Sequence, residues 1–361
     1  MPGARDVYRA RRRRRRVWPV VLIVLLALLA AAIIAFYACQ KYIVYDSDGL
    51  RVVFPIMEGD APQTEPDGAP GGIDTEIVYE EPDYDAILSN AGQDLEPLRG
   101  RYLTADQLTE SNLTAAAEQV RADGGNTLVL QMKPASGALS WKSSVALADA
   151  YGVNGSAELA EALQAVKAQD IRLVAVVSCC VDTLLSQRYA ALALKDSAGS
   201  AYTDGSGGWL DPYNAVARGY LADLCKELAD MGFDEIAFSY LQLPFTDAEF
   251  SYAAEMSAAP SRTDAVASLA QALRTALAAK NVRVSILCSA DSILQQRADQ
   301  TGQDLTMLAK VFDRLCVFAD GGNLSTLREA IAAPDGFDAE TRFVPFVSAA
   351  QESGSWVVTS G

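Results

Sequence analysis

Histidine is absent from the 361-residue sequence. Its absence excludes Ser-His and Cys-His nucleophile pairs, histidine general bases and histidine metal sites. Any acid-base chemistry of this chain therefore depends on carboxylates, tyrosine, lysine or cysteine. The six cysteines show no paired C-x-x-C spacing, so the sequence predicts no metal site and no other cofactor.

Five of the cysteines lie beyond residue 41, and four of these stand in strand-like apolar runs: Cys179, Cys180, Cys288 and Cys316. In such runs cysteine behaves as a small apolar residue. An odd number of cysteines in this part of the chain argues against a full disulfide framework and leaves a single bridge open.

Basic residues are scarce after residue 16. The first 16 residues contain eight arginines and one aspartate, whereas the remainder holds 22 basic and 45 acidic residues and carries a net charge of about −23. A surface this acidic repels nucleic acid and anionic lipid. The composition therefore predicts neutral or cationic ligands and no nucleic-acid partner.

An apolar run from Val17 to Tyr37 follows the arginines directly. A run of about 20 apolar residues spans a bilayer as a helix, and arginine clusters stay on the cytoplasmic side. We therefore expect a cytoplasmic tail (1–16), a transmembrane helix (17–40) and an extracytoplasmic remainder, which makes a single-pass protein of the cell membrane. A cleaved signal peptide, lipidation at Cys39 and a nucleic-acid-binding arginine patch are the alternatives.

Residues 41–97 are rich in proline, glycine and acidic residues after a short strand-like piece, "LRVVFPI" (50–56). They lack a sustained apolar period. This composition is typical of a solvated linker that holds a domain away from the membrane.

From residue 98 to residue 361, eight short apolar runs alternate with alanine-rich amphipathic segments. Helices are expected at 111–125, 156–170, 214–232 and 262–280. The strand candidates are 99–104, 127–133, 172–179, 235–241, 283–289, 314–320, 342–348 and 355–361. This alternation predicts an α/β fold with a parallel sheet, and eight strands in about 260 residues fit a (β/α)8 TIM-type barrel. A doubly wound open sheet is the alternative, although "YLTADQL" after the first strand lacks a glycine-rich turn.

Three blocks of this region carry a family resemblance: "LVLQMKPASGALSW", "WLDPYNAVARGYLADLCKELADMGFDEIAFSYLQLP" and "TGQDLTMLAKVFDRL". On these blocks, residues 98–361 resemble the glycoside-hydrolase domain found on many exported bacterial proteins, a TIM barrel related to the α-amylase-like enzymes. The resemblance implies carbohydrate as the ligand and O-glycosyl bond hydrolysis as the ancestral reaction.

Two strand ends depart from that family's pattern. One strand of the family carries F-D-Y followed two positions later by an arginine, whereas this chain has Ser239 in place of the aspartate and Gln242 in place of the arginine. On another strand, Gln131 replaces the family's usual aspartate. Glycoside hydrolysis needs two carboxyl groups that flank the bond. The resemblance therefore implies that the usual reaction site is lost at Ser239 and Gln131, which become candidate substrate-binding residues.

Other acids follow the predicted strands. Asp291, Asp320 and Asp211 are the candidate catalytic residues, and Asp291 with Asp320 or Asp211 would form a relocated acid pair. Each has a structural alternative: Asp211 and Asp291 as turn or helix-capping residues, and Asp320 as a residue of a glycine turn. Asp182 and Glu352 are expected to be solvated loop acids.

Three further side chains are candidates for substrate binding: Trp209, Tyr240 and Lys133. Aromatic faces suit the apolar faces of sugar rings, although half-buried packing is the alternative for both aromatic residues. Lys133 is expected at the barrel mouth, where burial would lower its pKa for base chemistry; a structural ion pair is its alternative.

Three functions follow from the sequence. The first is a membrane-anchored, catalytically degenerate glycoside-hydrolase relative that binds glycans at the cell envelope. The second is an active glycosidase with a relocated acid pair, and the third is a non-enzymatic scaffold.

Overall fold

The computed structural model describes residues 43–46, 49–52, 92, 94–253, 260–295, 298–319, 322–332 and 337–359. The predicted transmembrane segment (17–40) and Asp320 lie outside them. None of the helices in these ranges has both the length and the apolar character to cross a membrane. The chain divides into two compact units, Met1–Asp74 and Thr75–Gly361. In the first, Ile43–Asp46 pairs antiparallel with Gly49–Val52.

The second unit contains a closed barrel of eight parallel strands. Its strands, numbered here along the barrel, are β1 (Arg99–Leu103), β2 (Thr127–Lys133), β3 (Arg172–Ser178), β4 (Glu235–Ser239), β5 (Arg283–Cys288), β6 (Leu315–Phe318), β7 (Phe343–Val347) and β8 (Trp356–Thr359). Each strand pairs with the next along the chain, and β8 pairs with β1. All eight predicted strands are confirmed, and because the sheet closes on itself, the open-sheet alternative is wrong.

Helices cover the outside of the barrel. The α-helices that the structure describes are α1 (Glu110–Ala122), α2 (Ala146–Ala150), α3 (Leu159–Lys167), α4 (Thr183–Arg188), α5 (Ala215–Asp230), α6 (Arg262–Leu277), α7 (Ala290–Gln295), α8 (Ala298–Thr301), α9 (Leu305–Val311), α10 (Leu324–Ile331) and α11 (Ala339–Arg342), and short 3-10 helices lie at Ala105–Gln107 and Ala190–Leu192. The four predicted helical segments correspond to α1, α3, α5 and α6. As expected from its short connection, residues 348–355 between β7 and β8 form no helix.

Side-chain caps fix where the long helices begin. The Thr109 side chain accepts a hydrogen bond from the Asn112 main-chain amide at the start of α1. In the same way, the side chains of Asn214 and Ser261 accept hydrogen bonds from main-chain amides in the first turns of α5 and α6. Such caps satisfy amides that have no partner within the helix. The buried faces of these helices then pack on the outward side chains of the strands in one large apolar cluster.

A second and separate apolar cluster fills the barrel interior. Its members are Leu98, Tyr102, Val129, Val174, Val176, Ala237, Cys316, Val344, Phe346 and Val357. Successive strand residues point to opposite faces. Leu287 of β5 is partly buried and packs against this cluster. The inward positions of every strand therefore follow from these residues by counting in steps of two.

A buried ion pair lies at the base of the interior. Glu235, the first residue of β4, accepts a hydrogen bond from the Arg314 guanidinium and another from the Ser285 hydroxyl at 2.5 Å. The second terminal nitrogen of Arg314 donates to the Glu96 carbonyl at 2.8 Å. Both charged side chains are buried. The amino-terminal end of the barrel is thus closed by a charged, hydrogen-bonded plug.

The cysteines of the described chain are buried and free: Cys179, Cys180, Cys225, Cys288 and Cys316. Burial raises the pKa of Cys180, Cys225 and Cys288 to about 12. The single bridge that the sequence left open is therefore not formed among these five residues.

Removal of the Glu235 carboxylate tests the importance of the plug. In the Glu235→Ala variant Arg314 stays charged and buried without its partner, so we expect the free energy of unfolding to fall by about 3–5 kcal/mol. Urea unfolding of the full-length chain measures this change. The matched control is Asp223→Ala, which breaks an exposed pair with Lys226 at 3.1 Å and should cost about 1 kcal/mol or less. Equal losses in the two variants would contradict a stabilising plug.

Candidate active site at the barrel mouth

The carboxyl ends of the eight strands surround the mouth of the barrel, the end at which TIM barrels carry their active sites. Alternation from the interior cluster identifies the last inward residue of each strand. These residues are Tyr102, Gln131, Ser178, Ser239, Leu287, Phe318, Phe346 and Thr359. None of the eight is a carboxylate. Three of them are aromatic, three carry aliphatic hydroxyls, one carries an amide and Leu287 is aliphatic. The Ser178 hydroxyl is buried and donates to the Val181 carbonyl at 2.6 Å.

Ser239 ends β4 and lies at the mouth, as predicted, with 9% of its surface exposed. The next residue, Tyr240, has a φ of 50°, which turns the chain sharply after the strand. The carbonyls of Ser239 and Tyr240 accept hydrogen bonds from the Cys179 and Cys180 amides at 2.9 and 3.0 Å. These main-chain bonds hold the end of β4 against the end of β3 and so fix the backbone that carries Ser239.

Gln131 is half-buried at the end of β2, and its side chain holds the neighbouring loop. Its Oε1 accepts a hydrogen bond from the Ala105 amide at 3.2 Å, and its carbonyl accepts one from the Ser140 hydroxyl at 3.1 Å. Gln131 therefore positions the loop after β1 while lying at the edge of the mouth.

Lys133 does not lie at the mouth, and the prediction that it does is wrong. The pairing of β2 with β3 shifts between Gln131 and Lys133, so Lys133 lies opposite the outward residue Val177. This bulge reverses the inward and outward alternation at the end of β2. Lys133 is fully buried and faces the helix layer.

Asp182 is the partner of Lys133, and its predicted role as a solvated loop acid is also wrong. Its carboxylate lies 2.9 Å from the Lys133 Nζ, which also donates to the Ser178 carbonyl at 2.8 Å. The same carboxylate caps α4 by accepting from the Leu185 amide at 2.8 Å. At Gly137 (φ +89°) a Cβ atom would lie 1.9 Å from the Asp182 Oδ1, so only glycine permits this approach.

Asp211 ties two loops together from a buried position. Its Oδ1 accepts from the Tyr213 amide at 2.8 Å, and its Oδ2 accepts from the Ala253 amide at 2.5 Å. Burial raises the pKa of Asp211 above its ordinary value, although the two amide bonds and the nearby Arg218 oppose this shift. Both oxygens thus have main-chain partners, and the geometry supports the structural alternative for this candidate catalytic residue.

Asp291 is the remaining described candidate among the predicted catalytic acids. It lies exposed in the first turn of α7, directly after β5. Its predicted partner Asp320 lies outside the described residues, so the pair of Asp291 with Asp320 stays a prediction. A pair of Asp291 with Asp211 is disfavoured, because Asp211 is buried with both oxygens engaged.

The two predicted sugar-binding aromatics have different environments. Trp209 is buried, with only 1% of its surface exposed, and therefore packs within the protein rather than against solvent. Its ring meets the half-buried ring of Tyr240 edge to face, with the centroids 6.3 Å apart. Of the two, only Tyr240 has surface open to a ligand, and Trp209 packs against its ring.

The structure adds mouth residues that the sequence reasoning missed: Tyr102, Asp106, Phe318 and Phe346. The rings of Tyr102, Phe318 and Phe346 contact one another, with centroids 4.8–5.8 Å apart. Burial, then the Asp106 carboxylate, then Tyr240 raise the pKa of Tyr102 to about 12. Counting inward positions in steps of two from the strand ends would have identified all three ring residues.

The loops after β4 and β5 are locked together by the "TGQDL" segment (301–305). The Gln303 side chain accepts from the Ser289 amide at 3.2 Å and donates to the Leu241 carbonyl at 3.3 Å. Arg262 donates to the carbonyls of Pro244, Gln300 and Ala248 at 2.5–2.9 Å. This part of the mouth is therefore preorganised.

No group of three or more potential metal-ligating side chains occurs in the described part of the chain. The arrangement at the mouth can stack, donate and accept hydrogen bonds. Among the described residues, the acids that follow strand ends and could take part in acid-base chemistry there include Asp106 after β1, Asp291 after β5 and Glu352, which is exposed as predicted, after β7.

Replacement of Asp211 by asparagine tests its buried position. Because its pKa is raised above the ordinary 3.8, the folded chain holds this proton more tightly than the unfolded chain. The resulting stabilisation is complete below pH 3.8 and is lost as the pH rises through the raised pKa. We expect the unfolding free energy of the wild type, relative to Asp211→Asn, to fall over that acidic range in urea titrations. A difference that does not change with pH would contradict the assignment.

The comparisons with known proteins agree with the barrel. A family model described as "Putative glycosyl hydrolase domain" matches residues 100–319, more than half of the chain. None of the curated proteins matches the chain.

Several solved structures are similar to this chain at low sequence identity. The PgaB (BpsB) glycoside hydrolase domain from Bordetella bronchiseptica has a TM-score of 0.53 and 12% identity, over 74% of this chain and 94% of that chain. A hypothetical protein from Ruminiclostridium thermocellum has a TM-score of 0.45 and 22% identity, over 52% of this chain and 96% of that chain. A GH20 beta-N-acetylhexosaminidase from Streptomyces coelicolor has a TM-score of 0.43 and 14% identity, over 73% of this chain and 54% of that chain. Because the family model matches residues 100–319, this chain belongs to the family described as "Putative glycosyl hydrolase domain".

Proposed function

We propose that this protein binds glycans at the cell envelope through the mouth of its barrel, with the hydrolytic chemistry of its fold class reduced or lost. The observation that carries the proposal is the set of inward residues at the strand ends. They supply aromatic rings, hydroxyls and the Gln131 amide, and none of them is a carboxylate. Such a surface suits sugar rings, which combine apolar faces with hydroxyl groups.

The chemistry of hydrolysis supports the loss of activity. A glycosidase needs one carboxyl group to protonate the leaving oxygen and another to act as nucleophile or base. Asp182 is bound to Lys133, and Asp211 bridges two loops. Ser239 could replace a carboxylate nucleophile only with a neighbouring base, and the chain contains no histidine.

Binding without turnover is the expected outcome in solution. The full-length chain would be titrated with soluble fragments of starch, cellulose, chitin, mannan and xylan, with alginate fragments as an anionic control. Calorimetry would record binding, and a reducing-end assay would record hydrolysis. We expect at least one neutral fragment to bind with no release of new reducing ends. If no fragment binds, the glycan proposal fails and a non-enzymatic scaffold becomes the better description.

A second candidate function is carboxylate-dependent hydrolysis. Two observations favour it: Asp291 is exposed directly after β5, and Asp106 lies close enough to Tyr102 to raise its pKa. The Tyr102 hydroxyl, whose pKa is raised to about 12, is protonated at neutral pH, as that of an ordinary tyrosine is. Reducing-end release that disappears in Asp291→Asn or Asp106→Asn would establish this function in place of the first.

We also propose that residues 17–40 anchor the chain in the cell membrane with the barrel outside the cytoplasm. The proposal rests on the arginine-rich start followed by the apolar run. The acidic segment 41–97 would then hold the barrel at a distance from the anionic membrane surface.

Fractionation of cells that express the full-length chain tests the anchor. We expect the chain in the membrane fraction, resistant to extraction by high salt and released by detergent, because a spanning helix is held by apolar burial rather than by charge. Protease added outside the cytoplasmic membrane should remove the barrel. The matched variant lacks residues 1–40 and should remain in the soluble cytoplasmic fraction. Salt extraction of the full-length chain, or protection of the barrel from protease, would contradict the proposal.

A further inference from the structure

Phe318 combines two properties that conflict in an ordinary barrel residue. It is the last residue of β6, and alternation from the interior residue Cys316 directs its side chain toward the barrel axis. Inward residues are normally buried. Phe318 nevertheless keeps 46% of its surface exposed. An inward ring with this exposure must face the open mouth.

Two other inward rings hold Phe318 in place. Phe346, its direct partner in the pairing of β6 with β7, lies with its ring centroid 4.8 Å away at an interplanar angle of 60°. Tyr102 of β1 meets Phe318 edge to face at 5.8 Å. The Ala319 amide donates to the Phe346 carbonyl at 2.9 Å and so continues the strand pairing beyond the ring. Phe318 is therefore a preorganised aromatic surface rather than a mobile loop side chain.

Groups that form hydrogen bonds lie at the ends of other strands of the same barrel. Around the same mouth lie the Ser239 hydroxyl, the Gln131 amide and the Tyr240 ring, and Asp106 and Tyr240 influence the Tyr102 hydroxyl directly. An exposed apolar face beside fixed polar groups matches a pyranose ring, whose C–H face is apolar and whose edge carries hydroxyls. The carboxylate of Asp106 and the acidic character of the chain disfavour anionic sugars.

We propose that Phe318 is the platform on which a neutral pyranose ring stacks at the barrel mouth. This inference rests on the proposed glycan-binding function and deepens it, because it names the contacting residue and the class of sugar. Tyr102 and Phe346 act as positioning residues for the platform.

Exposed apolar side chains on adjacent loops indicate a chain of sugars rather than a single one. Leu294 lies in α7 after β5 and is 37% exposed, and Phe245 lies in the loop after β4 and is 51% exposed. Leu294 follows β5, which is the neighbour of β6, and Phe245 follows β4, which lies one strand further around the barrel. The locked loops after β4 and β5 hold them on one side of the mouth, where further rings of an oligosaccharide bind.

Three substitutions of Phe318 in the full-length chain test the platform. Phe318→Ala removes the ring, Phe318→Leu keeps apolar surface without a flat face, and Phe318→Trp keeps a flat face. The matched control is Val216→Ala, which removes an apolar side chain of similar exposure (48%) at the start of α5. Calorimetry measures the affinity of each variant for the neutral fragments that bind the wild type, and thermal unfolding monitors folding.

Stacking predicts that Phe318→Ala and Phe318→Leu bind about tenfold more weakly or worse, as for truncation of an aromatic anchor. Phe318→Trp and Val216→Ala should bind as the wild type does. We also expect the affinity of the wild type to rise with the length of the fragment. If Phe318→Ala disturbs folding, the affinities of Phe318→Leu and Phe318→Trp still show whether binding requires a flat aromatic ring at this position.

Equal affinity of the wild type, Phe318→Ala and Phe318→Leu would overturn the platform and leave the glycan-binding function standing. Wild-type-like affinity of Phe318→Leu alone would replace ring stacking by a general apolar contact and would also overturn it. Failure of every fragment to bind the wild type would reject both the function and the platform. Self-association of the wild type that is lost in Phe318→Ala, without glycan binding, would assign the exposed ring to a second copy of the chain instead.

Discussion

The pairing of β8 with β1 is the constraint on which the rest of the barrel depends. It runs from Trp356 opposite Arg99 to Thr359 opposite Tyr102 and closes the sheet. In a closed sheet every strand has one inward and one outward face, so the position of a residue in its strand decides where its chemistry is used. Closure therefore places Glu235 with Arg314 at the base, and Tyr102, Ser239 and Phe318 together at the mouth.

Most of the architecture could be predicted from the sequence because local signals repeat along it. Each apolar run is bounded by turn or capping residues, and this pattern was sufficient for all eight strands and the four predicted helices. The positions of Ser239 and Gln131 at the mouth also followed, because both end a strand. These are consequences of short-range patterning, which a single sequence displays directly.

The errors have tertiary causes. A bulge at the end of β2 places Lys133 on the outward face instead of the inward one, and no local feature of the sequence "LVLQMK" predicts this bulge. The burial of Asp182 requires Lys133 on one side and the close approach of Gly137 on the other. Trp209 is buried because its segment pairs with Val181 near the end of β3. The aromatic trio of Tyr102, Phe318 and Phe346 could have been found by alternation alone.

The burial of five cysteines bears on how the domain withstands oxidation outside the cytoplasm, where we propose that it lies. Extracytoplasmic compartments are oxidising, and thiolates rather than thiols react with oxidants and disulfides. Burial keeps these sulfur atoms protonated, since the pKa values of Cys180, Cys225 and Cys288 are about 12. Native chains are thereby protected from mixed disulfides and overoxidation. Unfolding would expose all five thiols to oxidants, so the resistance of these cysteines to oxidation depends on the stability of the fold.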